Sequence, residues 1–330
     1  MAAKQPDLAF VTVNLQLMPK LSTSTSAPIL PQGVVLLERG WLSSNNVLIG
    51  GENTCALVDS GYVTHAEQTI TLVDAVLGGR RLTHLINTHL HSDHCGGNAA
   101  LQAHHPALQT WIPPGQAVSV RDWDTQSLSY SPTGQQCDRF QYTAVLQPGS
   151  TIELGERYWQ VHAAAGHDPD AVLLFEPTSR LLLSADALWG NGFGVVFPEL
   201  DGEQGFCDVA QTLDVIEQLQ PLTVIPGHGP AFMDVSDALA RARRRLAMFV
   251  QEPSKHARYA AKVLLKFKLL ESQILTPEAL QAWTRATPLL GQIHAKHAPD
   301  LAFDNWITEL AQDLITSGAA SRESNNLRNL

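Results

Sequence analysis

Between Val34 and about Gly229, short apolar runs end in turn residues and alternate with amphipathic stretches. Runs rich in Val, Ile and Leu predict strands at Val34–Leu37, Asn46–Ile49, Cys55–Val58, Leu85–Asn87, Tyr158–Ala163, Ala171–Phe175, Leu181–Leu183 and Thr223–Ile225. Apolar residues at helical spacing predict helices over His65–Leu77, Asn98–Ala103 and Phe206–Leu219. The alternation has no regular βαβ repeat, so the pattern predicts an α+β sandwich rather than a doubly wound sheet. After Pro230 the helical period takes over, with helices predicted at Asp234–Val250, Lys255–Leu270, Pro277–Trp283 and Leu301–Thr316. Ser254 stands where an N-cap belongs, and Thr276-Pro277-Glu278 supplies a cap, a first-turn proline and a first-turn acid. This change of period divides the chain into a body at 34–235 and a helical region at 236–317. Residues 1–33 read as an N-terminal extension, with an apolar stretch over Leu8–Met18 and a Ser/Thr/Pro-rich connector over Ser22–Pro31. The polar residues 318–330 read as a flexible tail.

Composition narrows the class. The chain has 330 residues, 44% hydrophobic and 16% charged, which excludes disordered, collagen-like and coiled-coil chains. A net charge of −10 argues against general nucleic-acid binding. No apolar run approaches the roughly 20 residues of a membrane span. The opening M-A-A-K-Q-P-D-L-A-F has no apolar core followed by small residues, and Cys55, Cys95, Cys137 and Cys207 form no C-x-x-C pair. Both features predict a cytoplasmic protein with reduced thiols.

The densest chemistry lies in Ile86-Asn87-Thr88-His89-Leu90-His91-Ser92-Asp93-His94-Cys95-Gly96-Gly97-Asn98. Four potential metal ligands, His89, His91, Asp93 and His94, fall within six positions directly after a predicted strand. A tight loop can aim such residues at one point, and imidazole with carboxylate suits zinc, iron or manganese. The motif T-H-x-H-x-D-H over Thr88–His94 resembles the signature of the metallo-β-lactamase superfamily. Further landmarks follow in the order of that family: Ala165-Gly166-His167-Asp168, Leu183-Ser184-Ala185-Asp186-Ala187 and Ile225-Pro226-Gly227-His228-Gly229, with Leu57-Val58-Asp59-Ser60-Gly61 upstream.

The resemblance spans about residues 34–235 and implies an αββα sandwich with its site at one edge of the sheets, followed here by an all-helical, winged-helix-like C-terminal domain. It implies that His89, His91 and His167 bind one divalent metal, that Asp93, His94 and His228 bind a second, and that Asp186 bridges them with a hydroxide. Zinc is the first expectation, with iron or manganese as alternatives. Asp93 and Asp186 are the expected catalytic carboxylates, Asp93 relaying a proton to the leaving group. Asp59 and Thr88 are expected behind the ligands, Asp59 accepting a hydrogen bond from a ligand imidazole. His91 stands where flavodiiron oxidoreductases of the superfamily carry a glutamate, which disfavours their chemistry.

Other segments admit two readings. Trp189–Pro198 mixes aromatics with glycines, so Trp189, Phe193 and Phe197 are candidates for an apolar wall or lid over a substrate. The long connection Asp122–Phe140 offers Tyr130 as a pocket residue. Cys95 is expected to pack as a small apolar residue, and His84, His104, His105 and His162 to be surface or structural. Residues 241–268 hold nine basic residues and one acid, Glu252, a local charge of 9 − 1 = +8. Lys255, Arg258, Lys262 and Lys266 share one helix face, either an anion-binding surface or a solvated face balancing acid elsewhere. The expected activity is hydrolysis of a thioester or ester of a small acyl substrate, as in hydroxyacylglutathione hydrolases. The alternatives are a phosphodiesterase or endoribonuclease using the basic face, a lactonase or a mononuclear-iron sulfur dioxygenase. In a reading of another class, the C-terminal domain docks a partner or forms a homo-oligomer.

Overall fold

In the computed structural model, which describes residues 28–330, two sheets lie face to face between helical layers. The expectations for Leu8–Met18 and most of Ser22–Pro31 lie outside the described residues. The first sheet contains β1 (Val34–Leu37), β2 (Asn46–Gly50), β3 (Cys55–Val58), β4 (His84–Ile86), β5 (Gln109–Ile112) and β6 (Ala144–Val145), in that order. Its first three strands are antiparallel and β3 to β6 run parallel. The second sheet has the order β11-β10-β9-β8-β7, from β7 (Thr151–Leu154), β8 (Arg157–Ala163), β9 (Val172–Glu176), β10 (Leu181–Ala185) and β11 (Thr223–Pro226). β10 and β11 are parallel and the rest antiparallel.

Strand periodicity sorts the core into layers. Ala56 and Val58 of β3 face Val172 and Leu174 of β9 and Leu181 and Leu183 of β10 between the sheets. Leu57 points the other way, onto Ile70, Val73 and Leu77 of α1 (Ala66–Leu77) and Leu101 of α3 (Asn98–His104), which follows the short α2 (Ser92–Cys95). On the far side, Leu173, Phe175 and Leu182 pack against Val209, Leu213 and Ile216 of α7 (Gly205–Leu219). The connections hold three further short helices, α4 (Ala117–Asp122), α5 (Tyr130–Thr133) and α6 (Phe197–Asp201). The architecture is the expected αββα sandwich followed by a helical region.

Three differences from the pattern reading matter. β5, β6 and β7 were not expected: Gln109–Ile112 and Thr151–Leu154 alternate outward and inward residues over only four positions each, and Ala144–Val145 is too short to show a period. The arginine-rich α8 (Val235–Gln251) packs with the sandwich rather than with the later helices. Its stripe Ala238, Leu239, Ala242, Leu246 and Phe249 is buried against the second sheet and α7. The separate helical core begins with α9 (Pro253–Ser272) and includes α10 (Pro277–Ala286), α11 (Pro288–His297) and α12 (Phe303–Thr316). Finally, residues 318–330 do not form a loose tail. Strands β13 (Ala320–Glu323) and β14 (Asn326–Asn329) make a hairpin, and β14 also pairs with β12 (Ile274–Leu275). Ser324, at φ +56°, makes the turn, and Ala320 and Leu327 are buried in the helical core.

Candidate metal centre

Loops at one edge of the two sheets deliver the predicted ligands. The chain leaving β4 carries His89, His91, Asp93 and His94, the β8–β9 connection carries His167, and the ends of β10 and β11 carry Asp186 and His228. Backbone bonds stitch these loops together: Ser44 N–H donates to Asp93 O at 2.9 Å, Asn45 to Gly227 O at 2.7 Å, Ser60 to His94 O at 2.7 Å and Gly227 to Ala185 O at 2.7 Å. Two strand ends turn sharply at non-glycine residues with positive φ, Asp59 at +57° and Ala185 at +46°. Such backbone persists only where surrounding bonds hold it. Glycines give the close approaches: a Cβ at Gly227 would run into Asp186 Oδ1, and one at Gly194 into the His167 ring.

The seven side chains converge. Ligand atoms of His89, His91 and His167 lie within 4.8 Å of one another, as do those of Asp93, His94 and His228, and those of His89, His94 and Asp186. Asp186 stands between the groups: Oδ1 is 3.4 Å from His94 Nε2, while Oδ2 is 3.4 Å from His167 Nε2 and 3.8 Å from His228 Nε2. Asp93 Oδ2 accepts from His228 Nε2 at 3.0 Å. His89 Nε2 and His94 Nε2 are buried and have no hydrogen-bond partner among the described residues, an arrangement that costs free energy unless something completes it.

A layer of contacts behind the ligands sets their tautomers. Asp59 Oδ2 accepts from His94 Nδ1 at 2.7 Å and from Thr88 Oγ1 at 2.8 Å, while Oδ1 accepts from the Thr88 N–H at 2.9 Å. The His94 lone pair at Nε2 therefore faces the centre. Val195 O accepts from His167 Nδ1, so His167 Nε2 faces inward as an acceptor, 2.7 Å from His91 Nδ1. Trp41 stacks on His228 with ring centroids 5.2 Å apart. Asn45 Nδ2 donates to Pro226 O and Gly229 O at 2.9 and 2.7 Å and pins the His228 loop. Trp41, Asn45 and the buried Asp168, 3.7 Å from His91 Nε2, had no assigned role from sequence. Asp168 belongs to the Ala165-Gly166-His167-Asp168 motif, whereas Trp41 and Asn45 sit in a segment without periodic signal.

Burial, reinforced by neighbouring imidazoles, pushes His89 well below the ordinary histidine range. His91 and His167 fall to about 4, again chiefly through burial. Burial alone would raise Asp186, but the His228, His94 and His167 imidazoles outweigh it and hold the carboxyl well below its usual range. Asp93 is likewise lowered against burial by His94 and His228. Neutral imidazoles and ionised carboxylates are the states that metal ligands require. His94 differs: burial opposes its proton, yet Asp59, Asp186 and Asp93 raise it well above the ordinary value. A bound cation would take that proton's place. The donor set thus fits two divalent metal ions.

The family model of the metallo-beta-lactamase superfamily matches residues 39–228. The chain belongs to the metallo-beta-lactamase superfamily. A hydroxyacylglutathione hydrolase of Thermosynechococcus vestitus is 28% identical over 169 residues, covering 51% of this chain and 54% of that protein. A nitric oxide reductase of Moorella thermoacetica is 29% identical over 145 residues, covering 43% of this chain and 33% of that protein. The human acyl-coenzyme A thioesterase MBLAC2 is 24% identical over 164 residues, covering 46% of this chain and 58% of that protein. The chain spans about half the length of the first of these relatives. Among solved structures, a metallo-beta-lactamase family protein of Thermus thermophilus superposes with TM-score 0.54 at 17% identity, covering 90% of this chain and 99% of that chain. At that identity the match speaks for the fold.

The superfamily site opens into a cleft of about 1280 Å³. His91, Asp93, His167, Asp186 and His228 line its floor, and Trp41, Trp189 and Phe197 stand around them. Trp189 Nε1 donates to Asp186 Oδ1 at 3.1 Å, and Phe197 meets the His91 ring edge-on at 5.0 Å. Two predicted substrate residues are elsewhere. Tyr130 is buried beneath the ligand loop, donating to Leu90 O at 3.0 Å and touching Cys95 Sγ at 3.1 Å. Phe193 is buried in the core beside Phe249. Tyr130 stands out by its long connection and Phe193 by the aromatic–glycine mix after Asp186, but α5 and the sandwich core absorb them. Cys95 is buried, and burial raises its thiol well above the usual range, consistent with packing rather than nucleophilic chemistry.

The basic face of α9 forms the opposite side of the cleft. Lys255, Arg258, Lys262 and Lys266 line it together with Tyr259, Val263, Phe267 and Leu270. Val263, Phe267 and Leu270 share this face, while Ala260 and Leu264 are buried in the helical core. Lys266 is not available to a ligand: Nζ donates to Ala319 O and Asn329 Oδ1 at 2.6 Å each and to Leu330 O at 3.2 Å, tethering the hairpin.

Proposed function

We propose that this chain is a binuclear-metal hydrolase that cleaves a thioester or ester of a small acyl substrate, with zinc as the favoured metal. The carrying observation is the complete set of seven converging ligand side chains at the floor of an open, largely apolar cleft. Bound to this set, two divalent cations would supply Lewis acidity and an activated water near neutral pH. His89, His91 and His167 would hold one ion, Asp93, His94 and His228 the other, with Asp186 between them. Asp59 and Val195 O accept from the outward nitrogens of His94 and His167 and so direct Nε2 of each ring toward the centre. Asp93 is the more exposed of the two ligand carboxylates and faces the cleft, so it is placed to carry a proton to the leaving group. Trp41, Trp189 and Phe197 give the cleft apolar walls around the metal centre.

The nucleic-acid alternative is disfavoured by the chain's net charge of −10. The test pairs S-acyl-glutathione with a chromogenic phosphodiester on metal-replete protein, with Asp186→Ala as control. Thioester turnover that disappears in the control is the expected result. Turnover of the phosphodiester alone would overturn the reading.

A further inference from the structure

The acyl reading leaves the chemistry of the α9 face unused. The cleft lining contains six cations, Arg241, Arg245, Lys255, Arg258, Lys262 and Lys266, and among the described residues its only carboxylates are the metal-centre aspartates Asp93 and Asp186. In a chain of net charge −10, this concentration facing an active site is not explained by surface balance. The cations differ in how firmly they are engaged. Arg241 is tied to Gly190 O and Asp234, and Lys266 to the hairpin. Among the described residues Lys255 has only an exposed i,i+3 pair with Glu252, Lys262 is 3.5 Å from Asp313, and Arg258 shares that same carboxylate at 3.0 Å and lies 3.6 Å from Glu309. Arg245 has no carboxylate partner among the described residues; its guanidinium lies over the Tyr259 ring at 4.4 Å and beside Asn191 O at 3.4 Å. Exposed pairs of this kind hold their charges weakly and exchange readily for a stronger anion.

The placement is also directional. α9 spans the cleft from one end to the other: near its start, His256 Nε2 accepts from the Val196 N–H beside the metal centre, and near its end Phe267 meets Tyr62 edge-on at 5.1 Å. Lys255 to Lys262 is two turns, about 10 Å of helix. A row of that length suits several phosphates better than one carboxylate. Tyr259 and Val263, between the cations on the same face, offer apolar surface to a planar ring or a linking arm.

We propose that Arg245, Lys255, Arg258 and Lys262 bind the phosphates of a nucleotide-bearing thiol, so that the substrate is an acyl thioester of a polyphosphorylated carrier rather than of a phosphate-free thiol. This rests on the acyl-hydrolase reading above. The bond cleaved is the thioester C–S bond; water supplies OH to the acyl carbon and the departing thiolate takes a proton.

The test compares one acyl group on three thiols: coenzyme A, 3′-dephospho-coenzyme A and pantetheine. The enzymes are wild type and the double variant Lys255→Ala/Lys262→Ala, whose residues lie outside the metal centre. Wild type is expected to show a KM that rises as phosphates are removed, at nearly constant kcat. The double variant should raise KM for the coenzyme A ester by roughly tenfold per lysine and leave the pantetheine ester unchanged. Equal KM on all three thiols, or equal losses on all three in the variant, overturns the proposal while leaving thioester hydrolysis standing. Tighter use of a carrier-protein-bound phosphopantetheine ester than of the coenzyme A ester also overturns it. Calorimetry with adenosine 3′,5′-bisphosphate separates the two claims: lysine-dependent binding without turnover of any thioester sustains the phosphate site and sinks the acyl reading, and absence of binding sinks the site.

Discussion

The metal centre and the α9 face confront each other across one cleft, yet they hold charge in different ways. On the floor the ligating groups have fixed partners behind them: Asp59 behind His94, Val195 O behind His167, Trp41 against His228. On the α9 side, Arg258 and Lys262 share Asp313, and Lys255 leans on an exposed Glu252. Buried groups with a second layer of contacts can be held in one geometry for chemistry. Half-exposed cations on long side chains keep their freedom and suit a ligand that brings its own charge. The contrast predicts that damage on the floor falls on turnover and damage on the α9 side falls on affinity.

The largest expected effect breaks the floor itself. Asp186→Ala removes the carboxylate whose two oxygens face His94 on one side and His167 and His228 on the other. We expect kcat to fall by about a thousandfold or more, and metal analysis to show a deficit relative to wild type. Retained turnover with full metal content would refute the central placement of Asp186. One layer back, Asp59→Ala frees the His94 tautomer and unties Thr88. Loss of such a partner typically lowers metal affinity or activity about 10–100-fold. Restoring turnover with excess metal would separate affinity from positioning.

The next prediction concerns the joint between the two sides. His256 lies on α9, is buried, and accepts from the Val196 N–H next to Phe197. Burial, with Arg245 and His297 adding to it, lowers its pKa to about 4. The folded state therefore favours the neutral ring, whereas the unfolded chain takes up a proton near pH 6.5. Its contribution to stability is complete above about pH 6.5 and is lost as pH falls from there toward 4. At pH 4 the loss reaches up to about 3 kcal/mol by the usual conversion. His256→Gln, which keeps an acceptor but cannot titrate, should flatten the Tm-against-pH curve in this window. An unchanged slope would remove His256 from the account.

The comparison also explains what could be read from the chain alone. The candidate ligand cluster was legible because its chemistry is dense: four residues able to ligate within six positions, then three single landmarks in order. The sandwich was legible from short apolar runs such as β9, buried on both faces because Leu173 and Leu174 serve different layers. Trp41 and Asn45 were not, because a stacking ring and a loop-pinning amide leave no periodic trace. Tyr130 and Phe193 misled because aromatic character does not distinguish a pocket wall from a core. The hairpin of β13 and β14 was hidden because most of its residues are polar and, of its strand residues, only Ala320 and Leu327 enter the helical core. The basic face was visible as a pattern, but what it faced depended on the docking of α9 over the cleft, a long-range contact that local periodicity does not encode.

The smallest effect tests the looseness of the α9 side directly. Arg258 and Asp313 are joined at 3.0 Å, with side-chain exposures of 38% and 35%. The carboxylate is held below its usual range by Arg258 and Lys262 against a burial effect that would raise it. Exposed pairs of this kind contribute about 0.2–1 kcal/mol. A double-mutant cycle with Arg258→Ala and Asp313→Ala should return a coupling in that range, shrinking as salt is added. A coupling several times larger and insensitive to salt would mean that α9 and α12 are locked together by this pair. Arg258 would then be a structural tether like Lys266, and the contrast between a rigid floor and an exchangeable cationic wall would shrink to Arg245, Lys255 and Lys262.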